Sequence, residues 1–230
     1  MDIKGKKILI IGMARSGIST AKVLNKLGAY IIMNDIKNEN RLLDIISEVE
    51  PYVNEFVLGN HIEDFTNIDF VILSPGVPLN IVPVKTAIKN NIEVIGELEL
   101  AYRLLDGDFI AITGTNGKTT TTALTGLIFE NANLHSYIVG NIGLPVISKI
   151  FDTNEDTFLI TEVSSFQLET ISEFKPKIAA ILNITPDHLN RHKTLKNYID
   201  TKKKVFINQS EHDYLILNYD NEITRNMKLD

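Results

Sequence analysis

The stretch Ala111 to Thr122 reads AITGTNGKTTTT. An apolar run, FIAIT, leads into it, and an amphipathic stretch ending GLIFENA comes after. That succession predicts a strand, a tight loop and a helix. Gly114 and Gly117 let backbone N–H groups curl around phosphate oxygens. Lys118 is placed to neutralise β and γ phosphates, and Thr119 to offer its hydroxyl to Mg²⁺. The loop opens a helix, whose dipole favours an anion there. The pattern departs from G-x-x-x-x-G-K-[ST] at its first glycine, where Ile112 stands. That changes the entry to the loop but not its lysine end. The plainer alternative is a Gly-rich turn with an incidental lysine.

Outward from this loop, short apolar runs alternate with amphipathic stretches. KKILIIG, AYIIMND, DFVILSPG, IEVIG, FIAITG, SYIVGN, TFLITE, KIAAILNI and YLILNYD read as strands. Several are continuously apolar, as in parallel sheets covered on both faces. SGISTAKVLNKLG and TTTTALTGLIFENA read as helices between them. The βαβ rhythm predicts an α/β fold with mostly parallel sheets. Two phosphate-loop-like turns each open their own sheet. This places a domain boundary near Glu97, giving residues 1–97 and 98–230.

The first of these turns, GMARSG at Gly12–Gly17, comes after the first strand. It resembles G-x-G-x-x-G with Ala14 in place of the middle glycine. Arg15 and Ser16 set a cation and a hydroxyl at a helix N-terminus. Asp35 ends the next strand, where it can meet a ribose or a uracil edge. Ser74-Pro75-Gly76 ends another strand, on the side where open α/β sheets bind ligands. Without a ligand, both are ordinary turns.

A phosphate loop also needs a metal-binding acid from a second strand. TFLITE supplies Glu162. Ser164, Ser165 and Gln167 come next, placed either beside a γ-phosphate or as helix caps. KIAAILNI leads into TPDHLNRH. There His188 either ligates a second metal, touches a substrate oxygen, or simply faces solvent. Thr194 can cap a helix carrying Tyr198 and the run Lys202-Lys203-Lys204, which reads most simply as a solvated face. Together these residues suit phosphoryl transfer, which needs positioning and charge neutralisation. Phosphorylating a carboxylate would give it a good leaving group.

Several classes are excluded. A net charge of -6 argues against broad nucleic-acid binding. The chain has no cysteine, which rules out disulfides and thiolate metal sites and fits a reducing cytoplasm. The N-terminal apolar core is too short for a signal peptide, and Arg15 interrupts the chain just beyond it. No apolar run approaches the ~20 residues needed to span a bilayer.

TGTNGKTTT, GNIGLP (Gly140 to Pro145), TEVSSFQL (Thr161 to Leu168) and NITPDHLNRH (Asn183 to His192) together resemble the Mur ligases of peptidoglycan synthesis. GMARSGIST, SPGV and the SSFQL variant resemble the branch that adds D-glutamate. The resemblance implies a Rossmann-like N-terminal domain for the uridine diphosphate end of the substrate. It implies a P-loop-type α/β domain for ATP and two Mg²⁺ ions, and a third domain for the incoming amino acid. Arg15, Ser16, Asp35, Ser74 and Gly76 then fall on the UDP-sugar site, and Asn141 and His188 near the muramoyl-alanine end. Gly114, Thr115, Asn116, Gly117, Lys118, Thr119 and Thr120 hold the ATP phosphates. Thr119 and Glu162 match one metal site; His188 and a carbamylated lysine match the other. That lysine lies four residues after a tyrosine, which gives Lys202 counted from Tyr198, with Lys203 one place away. Lys118, Glu162, His188 and Lys202 are the implied catalytic set.

The implied reaction adds D-glutamate to UDP-N-acetylmuramoyl-L-alanine through an acyl phosphate, carried out in the cytoplasm by a monomer. Asn190 departs from the family's DHLDRH. The chain ends after YLILNYDN, so the resemblance implies a part of a longer ligase, lacking the end of the central domain and the third domain. Three rival readings stand beside it. They are a nicotinamide-dependent oxidoreductase or redox-sensing domain, a P-loop ATPase without ligase activity, and a ligase of the same superfamily with another amino acid, such as a folate polyglutamate ligase.

Overall fold

The computed structural model describes residues 1–227 and divides into two compact units, Met1–Leu104 and Leu105–Asp230. The first unit contains β1 (Lys7–Ile11), α1 (Arg15–Lys26), β2 (Tyr30–Asp35), α2 (Leu43–Val49), β3 (Glu55–Leu58), β4 (Phe70–Leu73), α3 (Val82–Lys89), β5 (Glu93–Gly96) and α4 (Glu97–Leu104). Its five strands are all parallel, in the order β3-β2-β1-β4-β5. Leu9 of the central strand lies opposite Ile32 on one side and Val71 on the other. These side chains are buried because helices and loops cover the sheet, which is why the strands read as unbroken apolar runs. Each fully buried aliphatic contributes about 1.5–3 kcal/mol.

β3, with the sequence EFVL, has no counterpart among the expected strands. It is a four-residue edge strand, half-buried, and too short to stand out as an apolar run. The division between units comes after Leu104 rather than at Glu97. The reason is α4, which packs against β4, β5 and α1 and so belongs to the first sheet.

The second unit contains β6 (Asp108–Thr113), α5 (Lys118–Asn131), β7 (Ser136–Gly140), β8 (Phe158–Glu162), α6 (Ser165–Leu168), β9 (Ile178–Ile181), α7 (Leu189–His192), α8 (Leu195–Lys203), β10 (Tyr214–Leu217) and α9 (Glu222–Arg225). It too is an all-parallel sheet, ordered β10-β9-β6-β8-β7. In the first sheet the chain builds outward from β1 through β2 to β3 and then crosses to β4 and β5; in the second it runs from β6 to the edge strand β7, returns to β8 beside β6, and then crosses to β9 and β10. The loops after β1 and β6 therefore sit at topological switch points, where crevices open at the carboxyl ends of strands. No helix among the described residues is long and apolar enough to cross a membrane.

Candidate active site

In the second unit, β6 delivers the loop 114–117 and α5 starts at Lys118. Gly117 caps the helix at φ +83°, a left-handed conformation that a side chain would strain. The first helical bond runs from Thr121 N–H to Gly117 C=O. The N–H groups of Lys118, Thr119 and Thr120 thus have no helical acceptor and are available to an anion. Thr115 and Asn116 are placed differently. Thr115 N–H donates to Asn183 C=O and Asn116 N–H to Asn183 Oδ1, both at 2.9 Å. Asn183 Nδ2 returns a bond to Asn116 C=O at 2.9 Å. These two loop residues are clamped to the end of β9, and their backbone donors are engaged there. The Thr115 hydroxyl extends the clamp to Thr185 C=O (3.1 Å) and the Tyr198 hydroxyl (3.2 Å). The Lys118 ammonium curls over the loop, donating to Gly114 C=O (3.0 Å) and Thr115 C=O (2.9 Å).

Glu162, at the end of β8, is 1% exposed. Thr119 Oγ1 donates to its Oε2 at 2.8 Å, and Asn141 Nδ2 to its Oε1 at 2.7 Å. No ion pair to Glu162 occurs among the described residues. The Thr119–Glu162 separation matches the edge of an octahedron, about 2.9 Å when ligand oxygens lie at 2.0–2.1 Å from the ion. A buried carboxylate beside a threonine hydroxyl, with no cation of its own, is a donor pair that fits Mg²⁺.

Lys202 corrects the reading of the lysine run as a solvated face. It is 1% exposed, whereas Lys203 is half-buried. Its ammonium donates to Thr113 Oγ1 (3.2 Å) and Gly114 C=O (2.9 Å). Burial, reinforced by the nearby charge of Lys118, pushes its pKa down to about 7. Its amine is therefore substantially neutral, and nucleophilic, at neutral pH. His188 is exposed at the N-terminus of α7, with its Nε2 3.5 Å from Asp187 Oδ2. Among the described residues, no hydrogen bond or ion pair joins His188 to Lys202 or Glu162. Nor does any group of three or more His, Cys, Asp and Glu side chains gather as a metal cage. Ser164 and Gln167 form a reciprocal capping box on α6. The Ser165 hydroxyl meets His192 Nε2 at 3.0 Å.

The first unit opens a cleft of about 350 Å³ lined by Gly12, Ser16, Asp35, Ser74 and Gly76. Arg15 is exposed on the first turn of α1. Asp35 accepts Met13 N–H (3.0 Å) and Lys37 N–H (2.9 Å), which fixes its carboxylate at the rim. The Ser74 hydroxyl donates to Gly12 C=O at 2.9 Å and so braces one wall against the other. Gly17 packs α1 onto that turn: a Cβ there would lie 2.2 Å from Gly12 C=O.

Two residues of this cleft had no signal in the sequence. Asn34 is fully buried; its Nδ2 donates to Val57 C=O (2.7 Å) and Asn60 C=O (2.8 Å), and Ile62 N–H reaches its Oδ1 at 3.4 Å. This amide pins the loop that carries His61. His61 lines the cleft, and its Nδ1 is buried with no partner among the described residues. An Asn inside an apolar strand and a lone His between Asn60 and Ile62 can be read only once the loop is in place.

Comparison with known proteins agrees with this geometry. The family model described as the Mur ligase middle domain matches residues 112–230. The one described as the Mur ligase MurD-like, N-terminal domain matches residues 6–96. The chain belongs to the Mur ligase family. Among Mur ligase relatives, it is 54% identical to UDP-N-acetylmuramoylalanine--D-glutamate ligase of Clostridioides difficile, over 99% of this chain and 51% of that protein. It is 52% identical to the protein of the same name in Alkaliphilus metalliredigens, over 98% and 50%. The chain spans about half the length of the curated relatives it matches. The crystal structure of UDP-N-acetylmuramate:L-alanyl-gamma-D-glutamyl-meso-diaminopimelate ligase from Neisseria meningitides superposes with a TM-score of 0.62. That match covers 96% of this chain and 74% of the other at 16% identity, a likeness of fold.

Proposed function

We propose that the protein is an ATP-dependent ligase that joins D-glutamate to UDP-N-acetylmuramoyl-L-alanine, working in the cytoplasm. The observation that carries the proposal is the pairing of a phosphate loop with the buried Glu162–Thr119 donor set, in a chain whose other sheet opens its own cleft. The relatives' names supply the substrates. In this reading the first cleft takes the uridine diphosphate end, with Asp35, Ser16 and Arg15 at its rim. The free N–H groups at the start of α5 bind the β and γ phosphates of ATP. Mg²⁺, when bound, offsets charge on the phosphoryl oxygens. Thr119 and Glu162 would hold one ion, and Asn141 keeps the carboxylate aimed at it.

A second ion needs an anion at Lys202, because an ammonium cannot be a ligand. The neutral Lys202 amine can attack CO₂ through its lone pair and lose a proton, leaving a carbamate. That carbamate, together with His188, would be the second set of donors.

Lys118 faces the transferring phosphoryl group and offsets its developing charge. The L-alanine carboxylate takes the γ-phosphoryl group from ATP, releasing ADP and forming an acyl phosphate. The D-glutamate amine then displaces phosphate, loses a proton and leaves an amide.

The test is Lys118→Ala in the full-length protein. Phosphate release should fall at least ~100-fold, the scale for losing one transition-state charge contact. Calorimetric affinity for UDP-N-acetylmuramoyl-L-alanine should stay unchanged. Wild-type turnover would refute the role of the loop, and titration with NAD⁺ should give no binding heat.

A further inference from the structure

His188, the residue on which the proposed second metal site depends, sits in a costly backbone conformation. Its φ and ψ are 50° and 30°, left-handed for a residue with a side chain. Lys193, at the far end of α7, also has positive φ, at 70°. Such a residue is strained and persists only when its surroundings hold it. A four-residue helix cannot do so by itself.

The surroundings of α7 are specific. Arg191 grips Glu169, just beyond α6, through Nε at 3.1 and 3.2 Å and through Nη2. His192 reaches Ser165, the first residue of α6, at 3.0 Å. The Phe166 ring fills the space between. It lies 4.8 Å from the His188 ring, is stacked on His192 at 5.8 Å with planes 20° apart, and has the Arg191 guanidinium 5.1 Å from its centroid. Arg191 and His192 also both donate backbone N–H groups to His188 C=O, at 2.9 and 3.0 Å. α7 is also held by α8, where Asn197 Nδ2 donates to His192 C=O at 2.9 Å and the Tyr198 ring lies 5.2 Å from the His192 ring, but its ties to the α6 segment lead back to Ser165, three places after Glu162. The two segments that carry Glu162 and His188 are tied by a bidentate ion pair, a hydrogen bond and a ring stack.

We infer that Phe166, Arg191 and His192 form a clasp that sets the position of His188 relative to Glu162. They are positioning residues for the reaction proposed above, and the inference rests on that reading. None needs to touch substrate. Phe166 is half-buried rather than part of the core, so altering it need not collapse the fold.

Arg191→Lys in the full-length protein is the first test. Lysine keeps the charge but has no planar fork to grip Glu169. Two readouts are taken. One is the histidine ring Cε1–H resonance of His188, assigned by its loss in His188→Gln. The other is the split between kcat and KM for ATP. Arg191→Lys changes no aromatic ring, so it moves or broadens the His188 resonance only by releasing the residue. A displacement of about 1 Å costs on the order of 100-fold in rate. kcat should therefore fall roughly 10- to 100-fold while KM for ATP changes little. Phe166→Leu should lower kcat in the same way with KM for ATP little changed, and that split carries the test if Arg191→Lys loosens the fold, because losing the ring by itself shifts the His188 resonance.

An unmoved His188 resonance in Arg191→Lys, with near-wild-type kcat in both variants, would overturn the clasp. Lost turnover in His188→Gln beside normal turnover in both clasp variants would overturn the clasp alone. Wild-type turnover in His188→Gln would overturn the underlying role of His188.

Discussion

Burial of Lys202 makes a quantitative prediction about pH. Its pKa is about 7 in the folded chain and 10.5 in an ordinary solvated lysine. Between these values the unfolded chain binds one more proton at this site than the folded chain. Stability must then rise with pH across that window, by about 1.36 kcal/mol per pH unit at its steepest. Integrated from about pH 6.5 to about pH 9.5, the contribution is about 3 kcal/mol. Lys202→Met keeps the apolar stem and removes the titrating amine. The wild-type and variant urea-unfolding free energies should diverge with pH, the wild type gaining about 3 kcal/mol on the variant over this range. The measurement needs metal-free buffers purged of CO₂, because a carbamate would change the group that titrates. Parallel stability curves for the two proteins would refute the reasoning. They would mean that the amine reaches water despite its burial, or that its bonds to Thr113 and Gly114 fully compensate the charge.

Three further outcomes are expected. Gly17→Ala should lower the urea midpoint, with a loss of about 1–3 kcal/mol, because the new Cβ would meet Gly12 C=O at 2.2 Å. Asn34→Ala should cost about 2–4 kcal/mol in the same assay, since Val57 and Asn60 lose their donor; under the proposed function it should also weaken calorimetric binding of the UDP-substrate. Asp213 is partly buried, which raises a carboxyl pKa. The Ser210 N–H and hydroxyl, with Lys175, outweigh this and hold it down at about 2. Its stabilisation is complete above the ordinary value of 3.8 and is lost as pH falls towards 2. Asp213→Asn should therefore be less stable at neutral pH, and acid titration followed by circular dichroism should show a shallower loss below pH 3.8.

Four matches between residues and geometry were legible in the sequence. The interior strands stood out because parallel strands covered on both faces must be apolar throughout. The loop 114–117 between β6 and α5 stood out because its glycines, and the lysine and threonine after them, are contiguous. Gly17 belonged to a recognisable strand–turn–helix pattern. Glu162 ended a strand whose neighbour carries the loop. Less was legible where a residue's role depends on partners distant in sequence. Asn183 clamps Asn116 across the sheet, and nothing about an asparagine at a strand end announces which loop it will hold. The Ser164–Gln167 pair was open to two readings, and the local cap engages both side chains.

By itself, then, the order of residues determined the α/β class, two sheets each opened by its own glycine-bearing strand–turn–helix, and the family. Those properties derive from periodicity and from short motifs whose parts touch one another along the chain. Tertiary structure alone decided that Lys202 is buried while its neighbour Lys203 is not, that Thr115 and Asn116 are anchored by Asn183, that α4 belongs to the first sheet, and that α6 and α7 grip each other around Phe166. The physical reason is the same in each case. Burial and long-range hydrogen bonds are set by which segments pack together, and a lysine's pKa or a histidine's backbone strain has no value until they do.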